Sequence, residues 1–213
     1  MKENRKIAVL GGGGRTGQYV VKQLVEKGFQ IKLLLRNPES FTISSPLIEM
    51  IKGDALDSSI VGELLQNCDA VISTLGQRKD EPLVASAATR HILNVIEREK
   101  NSQIRYILLA GLNVDTPTDR KSAETQKGTD WMRATFPDIH EDRQKAYSIL
   151  ATSQAPWTLV RVPFIEFTDE RNEVKVDLFD CPGSRISAGD IAQFMIGQLE
   201  DRRYLQKAPF ISN

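Results

Sequence analysis

The sequence feature that most constrains the fold is a glycine-rich segment near the start of the chain. Residues 7–10 form a short apolar run typical of a buried strand, and the glycines at 11–14 and Gly17 follow it directly. Residues 18–26 then carry apolar side chains at the spacing of one helix face. A glycine turn lets the backbone approach a ligand closely, and a helix start offers free N–H groups to a pyrophosphate. This order predicts a dinucleotide site.

Two glycine spacings fit that prediction. Gly11, Gly14 and Gly17 give a G-x-x-G-x-x-G pattern, and Gly12 with Gly14 and Gly17 gives G-x-G-x-x-G. The alternative is a glycine-rich turn that binds no ligand. The strand before the glycines and the helix after them favour the dinucleotide interpretation.

The whole chain narrows the class of protein further. Its 213 residues suit one domain over 1–213, and we find no linker that would divide it. A formal net charge of zero argues against a nucleic-acid surface. No run of about 18 apolar residues predicts a membrane span, and the first strand begins too early for a signal peptide. We therefore expect a cytoplasmic monomer or small homo-oligomer that acts on a small molecule.

Few residues are available for a metal or redox centre. The two cysteines lack C-x-x-C spacing, and the two histidines lie far apart in the chain. We therefore expect no metal site and reduced thiols.

The end of the second predicted strand, residues 30–35, is where such a fold selects its cofactor. A carboxylate there binds the ribose 2′-hydroxyl of NAD, whereas an arginine accommodates the 2′-phosphate of NADP. The residue here is Arg36, Arg15 in the glycine segment is a second candidate cation, and no carboxylate stands at this strand end. The alternative is a solvated loop arginine. We expect NADP(H) to be preferred over NAD(H). Asp54, after a third strand at 47–52, could accept a hydrogen bond from adenine or serve as a turn residue.

Strands and helices alternate as far as residue 110. A helix near 57–66 is followed by a predicted strand at 69–74, which leads into Thr74, Leu75 and Gly76. A helix near 82–100 is followed by a predicted strand at 104–110. Such alternation demands a parallel sheet with right-handed crossovers. The predicted fold class is therefore α/β, a three-layer, Rossmann-like, doubly wound parallel sheet with a small C-terminal substrate region.

The regular pattern stops at Gly111. We expect substrate or lid elements in 111–141 and in 163–186. The first of these segments is predicted to be irregular chain. Between and after them we predict a helix at 143–151, a strand at 157–162 and two short strands within 163–179. Ser187 would cap a helix at 191–199, and 210–211 would form a last strand.

Six segments carry a family resemblance. They are 11–17, 33–38, 53–54, 73–76, 157–163 and 185–192. In this order the sequence resembles the atypical short-chain dehydrogenase/reductases, an NAD(P)H-binding family close to biliverdin-IXβ reductase/flavin reductase and the NADH-flavin reductases. The resemblance implies an NADP(H) site in which Arg36 meets the 2′-phosphate, Asp54 the adenine, and Thr74, Leu75 and Gly76 the nicotinamide ribose. The glycine segment would contribute Gly11, Gly14, Arg15, Thr16 and Gly17.

The catalytic residues of typical short-chain dehydrogenases are missing. Gly111 stands where the serine after the fifth strand is expected, and Glu141 precedes Lys145 where a Tyr-x-x-x-Lys pair would need tyrosine. Lys145 and Tyr147 are the remaining candidates for a proton donor, although a plain helix-surface role is the more frequent one for such residues. Flavin and biliverdin reductases of this type also lack the usual pair, and hydride transfer to a flavin needs mainly orientation.

Three functions remain open. The first is reduction of a flat, conjugated acceptor such as flavin or quinone by NADPH. The second is a redox sensor or regulator that binds NADP(H) without turnover, and the third is an isomerase or epimerase, which lacks its tyrosine base here. Trp131, Phe136, Phe164 and Phe167 could stack on an acceptor, although ordinary core packing is the more frequent role of such residues.

Overall fold

The computed structural model describes residues 5–78, 80–98 and 104–213. The strands are β1 (Lys6–Leu10), β2 (Gln30–Leu35), β3 (Ile48–Lys52), β4 (Ala70–Ser73), β5 (Arg105–Gly111), β6 (Trp157–Val162), β7 (Phe164–Glu166), β8 (Lys175–Asp177), β9 (Arg185–Ser187) and β10 (Phe210–Ser212). The α-helices are α1 (Gly17–Glu26), α2 (Ser58–Leu65), α3 (Ala85–Arg98), α4 (Ala123–Thr135), α5 (Pro137–Thr152) and α6 (Ala188–Gly197).

Eight strands form one sheet in the order β3-β2-β1-β4-β5-β6-β10-β8. All neighbours are parallel except β8, which runs antiparallel to β10 at the edge. The prediction of a doubly wound α/β fold is confirmed, with this antiparallel edge strand as an addition. The strand order reverses between β1 and β4, and open α/β sheets bind ligands in the crevice at that point.

Helices cover both faces of the sheet. On one face α1 packs against α6, with Val20 and Met195 fully buried beneath them. On the other face α3 packs against α2 and α5, and Ile92 and Leu150 are fully buried. The central strands are apolar on both sides, as a sheet covered on two faces requires. Within the described residues, no helix is long and apolar enough to cross a membrane.

The largest difference from prediction lies in 113–141, which is mostly helical rather than irregular. Ser122 accepts a hydrogen bond from the backbone N–H of Thr125 and so caps α4, and Pro137 begins α5 six residues before the predicted start. The only residues that α4 buries are Thr125 and Thr129, so its sequence lacks the apolar spacing that predicts a helix.

Smaller differences concern element ends. Helix α3 begins at Ala85, later than predicted, and its predicted end at 99–100 lies outside the described residues. Strand β9 was not predicted, whereas β7, β8 and β10 were. Ser187 caps α6 as predicted, because its hydroxyl accepts from the N–H of Asp190.

A buried arginine fixes the chain before α4. Arg161 of β6 is fully buried, and its Nη1 lies 2.7 Å from Asp119 Oδ2 and 2.9 Å from the carbonyl oxygen of Val114. Its guanidinium also stacks on the ring of Phe210. Removing one partner of such a pair leaves an uncompensated buried charge, so this contact holds residues 114–119 against the end of the sheet.

The end of α1 is fixed by Gly28. It has a φ of 78°, and its N–H donates to the carbonyl of Val25 while that of Phe29 donates to Leu24. These two bonds form a Schellman motif, which places a left-handed residue directly after the helix.

Replacing Gly28 by alanine should therefore destabilise the protein. A left-handed conformation costs a non-glycine residue about 1–2 kcal/mol, although the added methyl would meet no atom within 4 Å. Gly62 in α2 also has open space around it but no positive φ, so Gly62→Ala should raise the free energy of unfolding by about 0.5–1 kcal/mol. Urea unfolding of both variants measures the difference, and equal effects of the two substitutions would contradict the strain argument.

Candidate functional site

The glycine turn after β1 approaches the end of β4 very closely. Gly11 has a φ of 77°, and a Cβ atom on it would lie 2.7 Å from the backbone nitrogen of Leu75. A Cβ on Gly17 would lie 2.1 Å from the carbonyl oxygen of Gly11. Contacts under 3 Å are not compatible with a side chain, so both glycines are needed to bring the turn, α1 and β4 together.

The start of α1 is open to an anion. Its N-cap residue Thr16 makes no side-chain capping hydrogen bond, and the first turn contains no acidic residue. Gly13 and Gly14 are exposed in front of it. The exposed backbone of the turn and the positive end of a helix dipole are suited to a phosphate, so this turn fits the pyrophosphate of a dinucleotide.

A groove of about 620 Å³ runs across the turn on the side of β2 and β3. The predicted cofactor residues that line it are Gly11, Gly14, Arg15, Arg36, Asp54, Thr74, Leu75 and Gly76. Two predicted residues are not on this wall. Thr16 faces a second cavity described below, and Gly17 is buried beneath the turn. The structure thus brings together nearly all of the predicted cofactor residues.

A carboxylate that the sequence did not reveal lies on the proposed cofactor selector. Both terminal nitrogens of the Arg36 guanidinium donate to Glu81, at 2.6 and 3.2 Å. This hydrogen bonding raises the pKa of Arg36 and lowers the pKa of Glu81. The expectation that no carboxylate stands at this strand end is wrong, since the loop after β4 supplies Glu81.

Asp54 is confirmed as a turn residue, because its Oδ1 accepts from the N–H of Leu56 at 2.9 Å. It also lines the groove, so its carboxylate remains accessible to an adenine. The contact to adenine stays a prediction.

A second cavity of about 800 Å³ opens from the same turn toward β5, β6 and α4. Arg15, Thr74, Leu75 and Gly76 line both cavities, which therefore meet at the end of β4. Both predicted substrate segments, 111–141 and 163–186, contribute to the wall of the second cavity.

Aromatic side chains surround this second cavity without belonging to the core. Trp131, Phe164 and Phe167 line it and are 59%, 74% and 40% exposed, so ordinary core packing does not describe them. The ring of Phe167 lies under the guanidinium of Arg15, 4.4 Å from it, and Phe136 packs edge-on against Trp131. Exposed rings around a cavity offer stacking surfaces to a flat ligand.

The two proton-donor candidates lie away from both cavities. Lys145 is exposed on α5, and Tyr147 packs edge-on against Trp157 with its pKa raised by burial. Neither residue lines either cavity.

The residue of α5 that does reach the second cavity is Arg143, which sequence reasoning missed. It donates to the carbonyl oxygens of Leu75 and Leu109, at the ends of β4 and β5. Burial lowers the pKa of Arg143. No spacing rule points to it, because its role depends on how α5 packs on the sheet.

Two polar side chains lie close together after β5. The Nδ2 of Asn113, which is buried and lines the cavity, lies 3.1 Å from Nδ1 of His140. Burial lowers the pKa of His140, which favours the neutral ring. Within the described residues, no three His, Cys, Asp or Glu side chains form a group that could hold a metal.

Residues 11–202 match the model of the NAD(P)H-binding family. The chain belongs to this family. The match begins at the first glycine of the turn and covers both cavities, so the predicted resemblance is confirmed at the level of the family.

Solved structures agree with this fold. A candidate NADH-flavin reductase from Streptococcus pneumoniae is 18% identical with a TM-score of 0.76, covering 98% of this chain and 99% of that one. A short-chain dehydrogenase/reductase from Veillonella parvula, in complex with NADP, is 14% identical with a TM-score of 0.76, covering 98% and 94%. Identities this low show the shared fold alone.

Two curated proteins match parts of the sequence. Cinnamoyl-CoA reductase 1 of Petunia hybrida is 24% identical over 166 residues, which is 71% of this chain and 48% of that protein. The 4-hydroxy-tetrahydrodipicolinate reductase of Acinetobacter baylyi is 33% identical over 76 residues, 34% of this chain and 28% of that protein. The chain thus spans less than half the length of each.

The glycine geometry predicts different effects at two positions of the turn. Gly14 is exposed and has no positive φ, and a Cβ on it would lie 3.1 Å from the Gly11 carbonyl oxygen. Gly14→Val should therefore fold but lose dinucleotide binding by filling the pyrophosphate position. Gly17→Ala should instead lose stability, by more than about 2 kcal/mol, because its methyl meets backbone.

Calorimetric titration with NADPH and thermal unfolding separate the two effects. Unchanged NADPH affinity in a folded Gly14→Val protein would contradict the position assigned to the pyrophosphate. A Gly17→Ala protein as stable as the parent would contradict the close approach.

Proposed function

We propose that this protein is an NADPH-dependent reductase of a flat, conjugated small molecule such as a flavin or quinone. The observation that carries the proposal is the junction of the two cavities at Thr74, Leu75 and Gly76. A dinucleotide lying in the groove would present its nicotinamide at this junction, and the second cavity then offers an acceptor site beside it.

The chain's own contribution to such a reaction is orientation. Bound NADPH would supply the hydride, so the protein needs mainly to hold the two rings face to face. The second cavity is lined largely by apolar residues such as Leu109, Ile139 and Val162, which offer a conjugated ring an apolar surface. The exposed rings of Trp131, Phe164 and Phe167 can stack on a conjugated acceptor.

Reduction of simple carbonyls is less well supported. Making an alcohol places charge on oxygen, which needs a positioned acid or oxyanion donor. The positions of the usual serine and tyrosine hold Gly111 and the exposed Glu141, and Lys145 lies outside the cavity.

The proposal predicts that the protein slowly oxidises NADPH when FMN or menadione is the acceptor. It also predicts that the protein does not oxidise simple alcohols with NADP⁺. Lys145→Ala and Tyr147→Phe should each change the rate by less than about tenfold, because neither residue lines the cavities. Loss of a general acid would instead lower the rate by about 10²–10⁴-fold. The absorbance of the NADPH band measures the rate of NADPH oxidation in the parent protein and the variants, and it also detects any NADPH formed from an alcohol. Tight NADPH binding without turnover of any flavin or quinone would overturn the reductase proposal in favour of the sensor.

The cofactor preference is a second part of the proposal. Arg36 provides a bidentate donor for the 2′-phosphate, while Glu81 competes for the same guanidinium. NADPH would therefore compete with Glu81 for Arg36 when it binds.

Arg36→Ala should weaken NADPH binding at least about tenfold, from the loss of about 1.5–3 kcal/mol, and leave NADH binding nearly unchanged. Glu81→Gln should tighten NADPH binding, because the competing carboxylate is removed. Titration of each variant with both dinucleotides provides the comparison. Weaker NADH binding in Glu81→Gln, with no gain for NADPH, would show instead that Glu81 binds the ribose diol and that NADH is preferred.

A further inference from the structure

Arg143 is a cation on an apolar cavity wall. Besides Arg143, the charged residues that line the second cavity are Arg15 and Glu124. Arg15 and Glu124 are exposed to solvent, whereas Arg143 is partly buried beside the junction of the two cavities. Its guanidinium contacts Leu75 and Leu109 only through their backbone carbonyls.

The carboxylate nearest to Arg143 in sequence is engaged elsewhere. Asp142 accepts from the N–H groups of Ala85 and Ser86, at 2.8 and 3.2 Å, and thus caps the start of α3. Among the residues that the structure describes, no carboxylate lies within 4 Å of the Arg143 guanidinium.

Two other buried arginines show what a purely structural role requires. Arg161 is paired with Asp119 at 2.7 Å. Arg105 lies outside both cavities and donates to the carbonyls of Gln198 and Pro156 and to the hydroxyl of Thr158 from all three nitrogens. Arg143 differs from Arg161 in having no carboxylate and from Arg105 in facing an open cavity.

A positive charge in apolar surroundings is stabilised by an anion brought to it. A guanidinium has five N–H donors, and those not directed at Leu75 and Leu109 are free to bind a planar anion in a bidentate manner. The geometry points to Arg143 as an anion subsite within the second cavity, which selects flat conjugated ligands that carry a carboxylate or comparable acidic group. The inference rests on the proposed function only in that this ligand is the hydride acceptor.

Binding of a matched pair of probes tests the subsite without any turnover. The probes are 2-naphthoate and 2-naphthamide, which share a flat ring system and differ in charge. With NADP⁺ present to fill the groove, the parent protein should bind naphthoate about tenfold more tightly than naphthamide in calorimetric titrations. Equal affinities for the two probes would overturn the inference.

Variants assign the preference to one residue. Arg143→Gln should reduce the naphthoate preference to less than about threefold and leave naphthamide binding nearly unchanged, and Arg143→Lys should retain part of it. Arg133→Gln, an exposed position of α4 outside the cavity, removes the same charge and should keep the full preference. If Arg143→Gln fails to fold, the partial loss of the naphthoate preference in Arg143→Lys tests the inference instead. A full preference in either folded Arg143 variant, or its loss in Arg133→Gln, would overturn the subsite.

The two proposals can fail separately. A protein that binds naphthoate through Arg143 but never oxidises NADPH keeps the anion subsite and loses the reductase function. A protein that oxidises NADPH with FMN or menadione but shows no charge preference among the probes keeps the reductase function and loses the subsite.

Discussion

The close contact between the glycine turn and the end of β4 determines the layout of the candidate site. The carbonyl oxygen of Gly11 lies where a Cβ of Gly17 would stand, and Gly11 itself abuts the backbone of Leu75. Because no side chain separates them, the start of α1 lies directly beside the carboxyl end of β4. The positive end of the helix and the two cavities therefore share one point, which is the condition for a single ligand to span them.

The same strand end is tied to α5 through Arg143. Its two backbone acceptors belong to Leu75 and Leu109, so one side chain bridges the ends of neighbouring strands. Arg143 thus places a charged group on the wall of the second cavity, whereas the positions of the usual serine and tyrosine hold Gly111 and Glu141. Under the proposed function, the cavity would orient and bind a charged acceptor without providing a proton, which fits acceptors that delocalise the arriving electrons in their own ring system.

Local patterns were sufficient to predict most of the fold. The strands are short apolar runs, and the caps at Asp57 and Ser187 bond to N–H groups two or three residues away, so neighbouring residues determine both. The glycine turn was predictable for the same reason. Helix α4 was not, because it buries Thr125 and Thr129 rather than an apolar stripe and owes its place to tertiary packing. Arg143 and Glu81 could not be found by sequence spacing either, since their partners lie 68 and 45 residues away.

The arginines show why a residue type alone does not determine a role. Arg36 and Arg143 both line cavities, yet Arg36 is half exposed and already holds Glu81, so any phosphate must compete with a carboxylate for it. An exposed ion pair contributes little stability, so replacing Glu81 by a phosphate on Arg36 costs little free energy. The bound ligand therefore decides which of the two anions Arg36 contacts. Arg143 has no such carboxylate among the described residues and lies against apolar walls, where the attraction to an anion is screened less by water. The first arginine is therefore suited to discriminate between two cofactors, and the second to bind an anion for which the protein supplies no substitute.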